Sequence, residues 1–187
     1  MSMPDRYRAT WLLPAMAGLV AAPAGAATYF TLEQAQQKML PGRALQAVPV
    51  TLTKAQIARI KADSGENVRQ PALRVWRTAE GEWFYLDQVL GKHEFITYAV
   101  TLDRNGAVTD IEILDYRESY GDAVRRPQWR GQFLGKRHGA PLRVDQDIVN
   151  LSGATLSSVH LAGGVRRVLA THAVVMATAV AGAAATP

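Results

Sequence analysis

The middle of the chain is where apolar positions follow a strand-like order. "ALRVWRT" (72–78), "WFYLDQVL" (83–90), "EFITYAVTL" (94–102) and "AVTDIEILDY" (107–116) are rich in β-branched and aromatic residues. The third run alternates apolar and polar positions, which puts every second side chain on one face of a strand. Turn residues separate the runs: Gly81, then Gly91-Lys92-His93, then "DRNG" (103–106). Asp or Asn before Gly between two such runs is a hairpin signal, because glycine accepts the positive φ that tight turns demand. Residues 73 to 116 therefore predict a four-stranded antiparallel meander.

Helical signals flank it. "TLEQAQQKML" (31–40) reads as a short helix stopped by Pro41-Gly42, and Thr53 caps a second one with Ile57 and Ile60 on its apolar side and Gly65 at its end. A last helix is expected to start near Ser157 or Ser158. Val165, Val168, Leu169 and His172 recur at helical spacing, with Arg166 and Arg167 on the other side, and an Ala-rich tail follows. Between Arg117 and Ser158 the periodicity stops for about forty residues. Long irregular stretches in compact domains are usually functional or disordered. This one holds Tyr120, Trp129 and Phe133, with Tyr116 just before it, which favours order. The expected class is α+β: an antiparallel meander with N-terminal helices and a C-terminal helix.

Composition narrows the chemistry. The chain has 187 residues, 48% of them apolar and 20% charged, which suits one globular domain. Arg6 and Arg8 precede the apolar run 10–27, whose Ala24-Gly25-Ala26 has the small-x-small form that signal peptidase accepts. The expected division is 1–26 signal peptide, 27–65 N-terminal helical segment, 66–176 main domain and 177–187 tail. The mature protein is then periplasmic or otherwise extracytoplasmic, or membrane-anchored if cleavage does not occur. Removing the segment takes one positive charge from a formal net charge of +5. The remaining basic residues are scattered, which argues against nucleic acid as a partner. The sequence has no cysteine, so no thiolate nucleophile, thiolate-held iron–sulfur cluster or covalent c-type haem is available. Redox chemistry would need an organic cofactor. His93, His138, His160 and His172 form no metal-ligand spacing, and no metal site is expected.

"DIVNLSGATLSS" (147–158) is the remaining chemical feature. Ser152-Gly153-Ala154-Thr155 offers a hydroxyl with little steric cover, just before a helix whose free N–H groups suit a phosphate. The same residues also suit an ordinary helix entry capped by Ser157 or Ser158.

"LSGATLSS" resembles the flavinylation motif of the FMN-binding domain family. That family includes the C subunit of sodium-pumping NADH:quinone oxidoreductase, the G subunit of the Rnf complex and small exported proteins. The resemblance runs from about Trp83 to Ala170, through "GKHEF", the E-S-x-G loop at 118–121 and the F-x-G-K segment ending at Lys136. It implies FMN joined by a phosphoester to Thr155, placed there by a periplasmic flavin transferase. It also implies that Ser152, Gly153, Ala154, Glu118, Ser119, Gly121, Lys136 and Asp147 belong to the cofactor site. Val149 stands where the usual motif has an aspartate, six residues before the threonine; Asp147 matches the first aspartate of a longer form. The implied function is an exported electron carrier working with a membrane-bound redox partner, rather than an enzyme that converts a substrate independently. The alternatives are a non-flavinylated or weakly flavin-binding scaffold or binding protein of the same fold, and a flavin-dependent reductase of a small acceptor.

Overall fold

The structure, a computed structural model, describes residues 27–118 and 121–184. The segment expected to be a signal peptide, 1–26, lies outside them. Six strands form one antiparallel sheet: β1 (Ala27–Thr28), β2 (Leu45–Ala47), β3 (Arg74–Thr78), β4 (Trp83–Leu90), β5 (Phe95–Leu102) and β6 (Val108–Tyr116). Their order is β1-β6-β5-β4-β3-β2. The expected meander is β3 to β6, and the class is α+β. The two outermost strands come from the segment read as helical, which supplies α1 (Leu32–Met39) and α2 (Lys54–Ser64) as well. Edge strands of two and three residues are too short to show a period.

Local chemistry accounts for most of the boundaries. Thr31 and Thr53 each accept a backbone N–H from a glutamine three residues on, at 3.2 Å, and the glutamine side chain returns the bond at 2.8 Å. These capping boxes start α1 and α2. Asp103 accepts the N–H groups of Asn105 and Ala107 at 2.8 and 2.9 Å and closes the β5–β6 hairpin.

The sheet is covered on both faces. On one, α1 lays Ala35 and Met39 on Phe84, Leu86, Ala99 and Leu114. On the other, α4 (Thr155–Ala184) packs Leu161, Val165, Val168 and Leu169 over Tyr98, Val100, Ile111 and Ile113. α4 runs through most of the segment set apart as a tail. No helix among the described residues is long and apolar enough to cross a membrane.

The helical period put both arginines of α4 away from the sheet. Arg167 is instead buried. Its Nη2 lies 2.7 Å from Asp87 Oδ2 on β4, and the Tyr98 hydroxyl donates to the same oxygen at 2.8 Å. Arg166 stays off the sheet, half-buried against the end of α2, where it reaches the Ser64 carbonyl at 2.6 Å and Glu66 at 3.0 Å. Close packing permits this: a side chain at Gly164 would run into Tyr98 and Val89. The long guanidinium stems lie beside that tight contact and carry their charge to a carboxylate.

His172 is buried as its spacing predicts. Its Nδ1 shares a 2.9 Å hydrogen bond with the Tyr85 hydroxyl, and its ring meets Trp83 edge-on at 5.4 Å. Burial pushes its pKa from 6.5 down to about 4, against a weaker upward pull from Asp103. The unfolded chain therefore binds a proton that the folded one refuses between these values. The stability this group contributes is complete above about pH 6.5 and falls as pH drops towards 4. The expected loss is about 3 kcal/mol across that window. Urea unfolding at several pH values checks it; a His172→Asn variant should flatten the dependence.

Candidate functional site

The 151–155 segment forms a turn and then a helix start. The Ala154 N–H donates to the Leu151 carbonyl at 2.8 Å, with Gly153 at φ +79°, a backbone state that favours glycine. The Ser158 N–H then donates to the Ala154 carbonyl at 2.9 Å, the first turn of α4. Ser152, Gly153 and Thr155 are exposed, and Ala154 is buried. Nothing stands within 4 Å of where a Gly153 side chain would begin, so approach to Thr155 is open on that side.

Ser157 and Ser158 are not the helix cap. Both are buried inside the first turn of α4. Ser157 shares a 3.0 Å hydrogen bond with the Tyr116 hydroxyl at the end of β6. The helix starts earlier than its apolar spacing shows, directly after the turn closed by the Ala154 N–H on the Leu151 carbonyl.

A second loop meets this turn. Gly121 has φ +95°, and a side chain there would strike the Tyr116 hydroxyl and Ser157 Oγ, with Ala154 Cα close behind. The glycine thus lets the loop after β6 cross directly beside the turn that ends at Thr155. Ser119, and Tyr120 with it, lies outside the described residues.

Glu118 faces the β4–β5 connection. Its Oε1 accepts the N–H groups of His93 and of Glu94, the latter at 3.0 Å. The turn itself closes through the Gly91 N–H to the Glu94 carbonyl at 2.8 Å. A side chain at Gly91 would collide with the Glu118 carboxylate. Burial alone would raise the Glu118 pKa, but the N–H groups of Glu94, His93 and Lys92, with His93 nearby, together hold it below its ordinary 4.5. The carboxylate clamp is therefore present above pH 4.5 and is lost as pH falls through the lowered value. Amide exchange at His93 and Glu94 is expected to be slow at neutral pH. Their protection factors, taken relative to the intrinsic exchange rate at each pH, should fall on acidification and, at neutral pH, in a Glu118→Ala variant.

Between these loops lies an open cleft of about 460 Å³. Lys92, His93 and Glu118 form one wall, and Gly153 to Ser157 form the other. The structure thus brings together Glu118, Gly153, Ala154 and Thr155, with Gly121 packed behind them. It adds Lys92, His93, Leu156 and Ser157. In the sequence the Gly91-Lys92-His93 turn shows as a spacer between strands and as part of the resemblance through "GKHEF", but Lys92 and His93 were not singled out as site residues.

Lys136 and Asp147 do not line this cleft. They pair with each other at 3.3 Å. Asp147 also accepts the N–H groups of Leu142 and Arg143 at 3.1 and 2.8 Å, shaping the 142–147 loop. Burial would raise its pKa, but those N–H groups and Lys136 hold it below its ordinary value. Val149 points its side chain outward, 69% exposed. Its backbone is pinned, its N–H donating to Gln132 at 2.7 Å and its carbonyl accepting from the Trp129 indole at 2.8 Å. Trp129, from the short helix α3 (Pro127–Arg130), and Phe133 are buried edge-to-face at 5.1 Å and anchor the irregular segment in the core.

Residues 91–170 match the model of the family described as FMN-binding domain. The match spans both walls of the cleft. No curated protein matches the chain.

Proposed function

With residues 91–170 an FMN-binding domain and FMN its cofactor, we propose that the protein is an exported flavoprotein that carries FMN on Thr155 and relays electrons to or from a membrane-bound redox partner. The observation that carries this reading is the exposed Thr155 hydroxyl at the start of α4, opening into the 460 Å³ cleft. The residues present suit the group. Thr155 offers the attachment oxygen, Gly153 leaves it uncovered, and Lys92 supplies a positive charge on the opposite wall. FMN supplies the redox chemistry; the chain tethers it, orients it and sets the charge around it.

Thr155 would become the ester oxygen when a periplasmic flavin transferase splits FAD, with AMP leaving and the hydroxyl proton lost. A tether suits an extracytoplasmic location, where a lost cofactor is not easily replaced. The apolar N-terminal run ending in Ala24-Gly25-Ala26 supports export. Electron relay is favoured over substrate conversion because the carboxylate on the cleft wall, Glu118, is committed to backbone N–H groups.

Val149 supports a second reading, a binding protein of the same fold without covalent flavin. One experiment separates the two. The chain is co-expressed with a flavin transferase, denatured and examined in the gel for flavin fluorescence. A bright band is the result expected; a dark one would favour the second reading.

A further inference from the structure

We propose that Lys92 is the group that recognises the phosphate of FMN, held in place for that task by the Glu118 carboxylate. The proposal rests on the reading of the cleft as the flavin site and names the residue that distinguishes FMN from an unphosphorylated flavin. A phosphate joined to Thr155 keeps an ionised oxygen, and free FMN carries more negative charge still. Beyond the free N–H groups at the start of α4, a cation lining the cleft would stabilise either charge.

Among the described residues that line the cleft, Lys92 carries the one lysine or arginine side chain. It is exposed and pairs with no carboxylate among the described residues. The neighbouring cations are committed elsewhere: Lys136 to Asp147 at 3.3 Å, and Arg117 to Asp115 at 2.9 Å. Lys92 lines the same cleft as Gly153 to Ser157.

Its position is enforced. The 91–94 turn is closed by its own hydrogen bond and held by Glu118 through the N–H groups of His93 and Glu94. Gly91 is buried and has no room for a side chain against that carboxylate. Glu118 is thus a positioning residue: it spends its charge on the turn and leaves the Lys92 ammonium free. Fixing the backbone beneath a flexible lysine lowers the ordering cost of binding.

The test is a titration of flavin-free protein with FMN and, separately, with riboflavin, read by flavin fluorescence. The wild type is expected to prefer FMN. Lys92→Gln should lose about fivefold in FMN affinity, the size of an exposed ion pair, and leave riboflavin binding unchanged. Lys92→Arg should keep the preference, and added salt should weaken it. Glu118→Ala should reduce the preference while Lys92 remains present. Thermal melts establish that each variant is folded. Repeating the titration in Thr155→Ala protein separates the two ideas, because phosphate preference should persist there without an attachment point. A wild type that binds both flavins equally, or a Lys92→Gln variant that loses both or neither, would overturn the assignment whether or not Thr155 is flavinylated.

Discussion

Thr155→Ala is expected to abolish covalent flavin completely: the denatured band, bright for the wild type after co-expression with a flavin transferase, should be dark. The effect is all-or-none because, among the described residues, no neighbouring hydroxyl is placed to substitute. Ser157 is buried and shares its hydroxyl with Tyr116 at 3.0 Å. Ser158 is fully buried. Ser152 is exposed but does not line the cleft. Thr155→Ser keeps the oxygen and should retain part of the signal. Val149→Asp should raise the yield, since its exposed side chain places a restored carboxylate where a transferase can reach it. A fluorescent band surviving Thr155→Ala would sink the attachment assignment, and intact-protein mass would locate the true site.

Arg167→Met is expected to cost about 4 kcal/mol of stability, lowering the melting temperature by roughly 10 °C for a chain of this size. Arg167 gives Asp87 two bonds, at 2.7 and 3.2 Å, and also reaches the carbonyls of Asn67 and Gln88 at 3.2 and 2.9 Å. Its side chain is only 8% exposed. Methionine fills much of the volume but removes the counter-charge from the half-buried Asp87, leaving it the Tyr98 hydroxyl and the Gln88 N–H, and it leaves the Asn67 and Gln88 carbonyls without the guanidinium that reached them. Arg167→Lys should recover little, because one ammonium cannot replace a fork that reaches a carboxylate and two carbonyls. Thermal unfolding with and without bound FMN measures the effect. A loss under 1 kcal/mol would mean that the pair is solvated rather than buried.

The legible and illegible parts of the fold differ in reach along the chain. The β3–β6 meander was readable because strand, turn and strand lie within a few residues of each other; the Asp103 carboxylate that closes the last hairpin sits inside its own turn. The cap at Thr53 was readable for the same reason, as it bonds a glutamine three residues away. β1 was not, because its partner is Asp115–Tyr116, far along the chain, and two residues carry no pattern. Arg167 was misread because helical spacing reports which positions are apolar, while its burial depends on Asp87, eighty residues earlier.

The candidate site divides in the same way. Thr155, Gly153 and Ala154 could be singled out from the sequence because small residues around a hydroxyl are a local signature, strengthened by the resemblance of "LSGAT". The sequence by itself determined the meander, the capped helices and the hydroxyl on which the proposed tether rests, all set by bonds within a few residues. Only the tertiary structure decided where α4 begins, that Glu118 clamps the 91–94 turn, and that Lys92 lines the same cleft as Thr155. Those outcomes depend on which loops meet across the end of the sheet, and no local preference in any one loop encodes its neighbour.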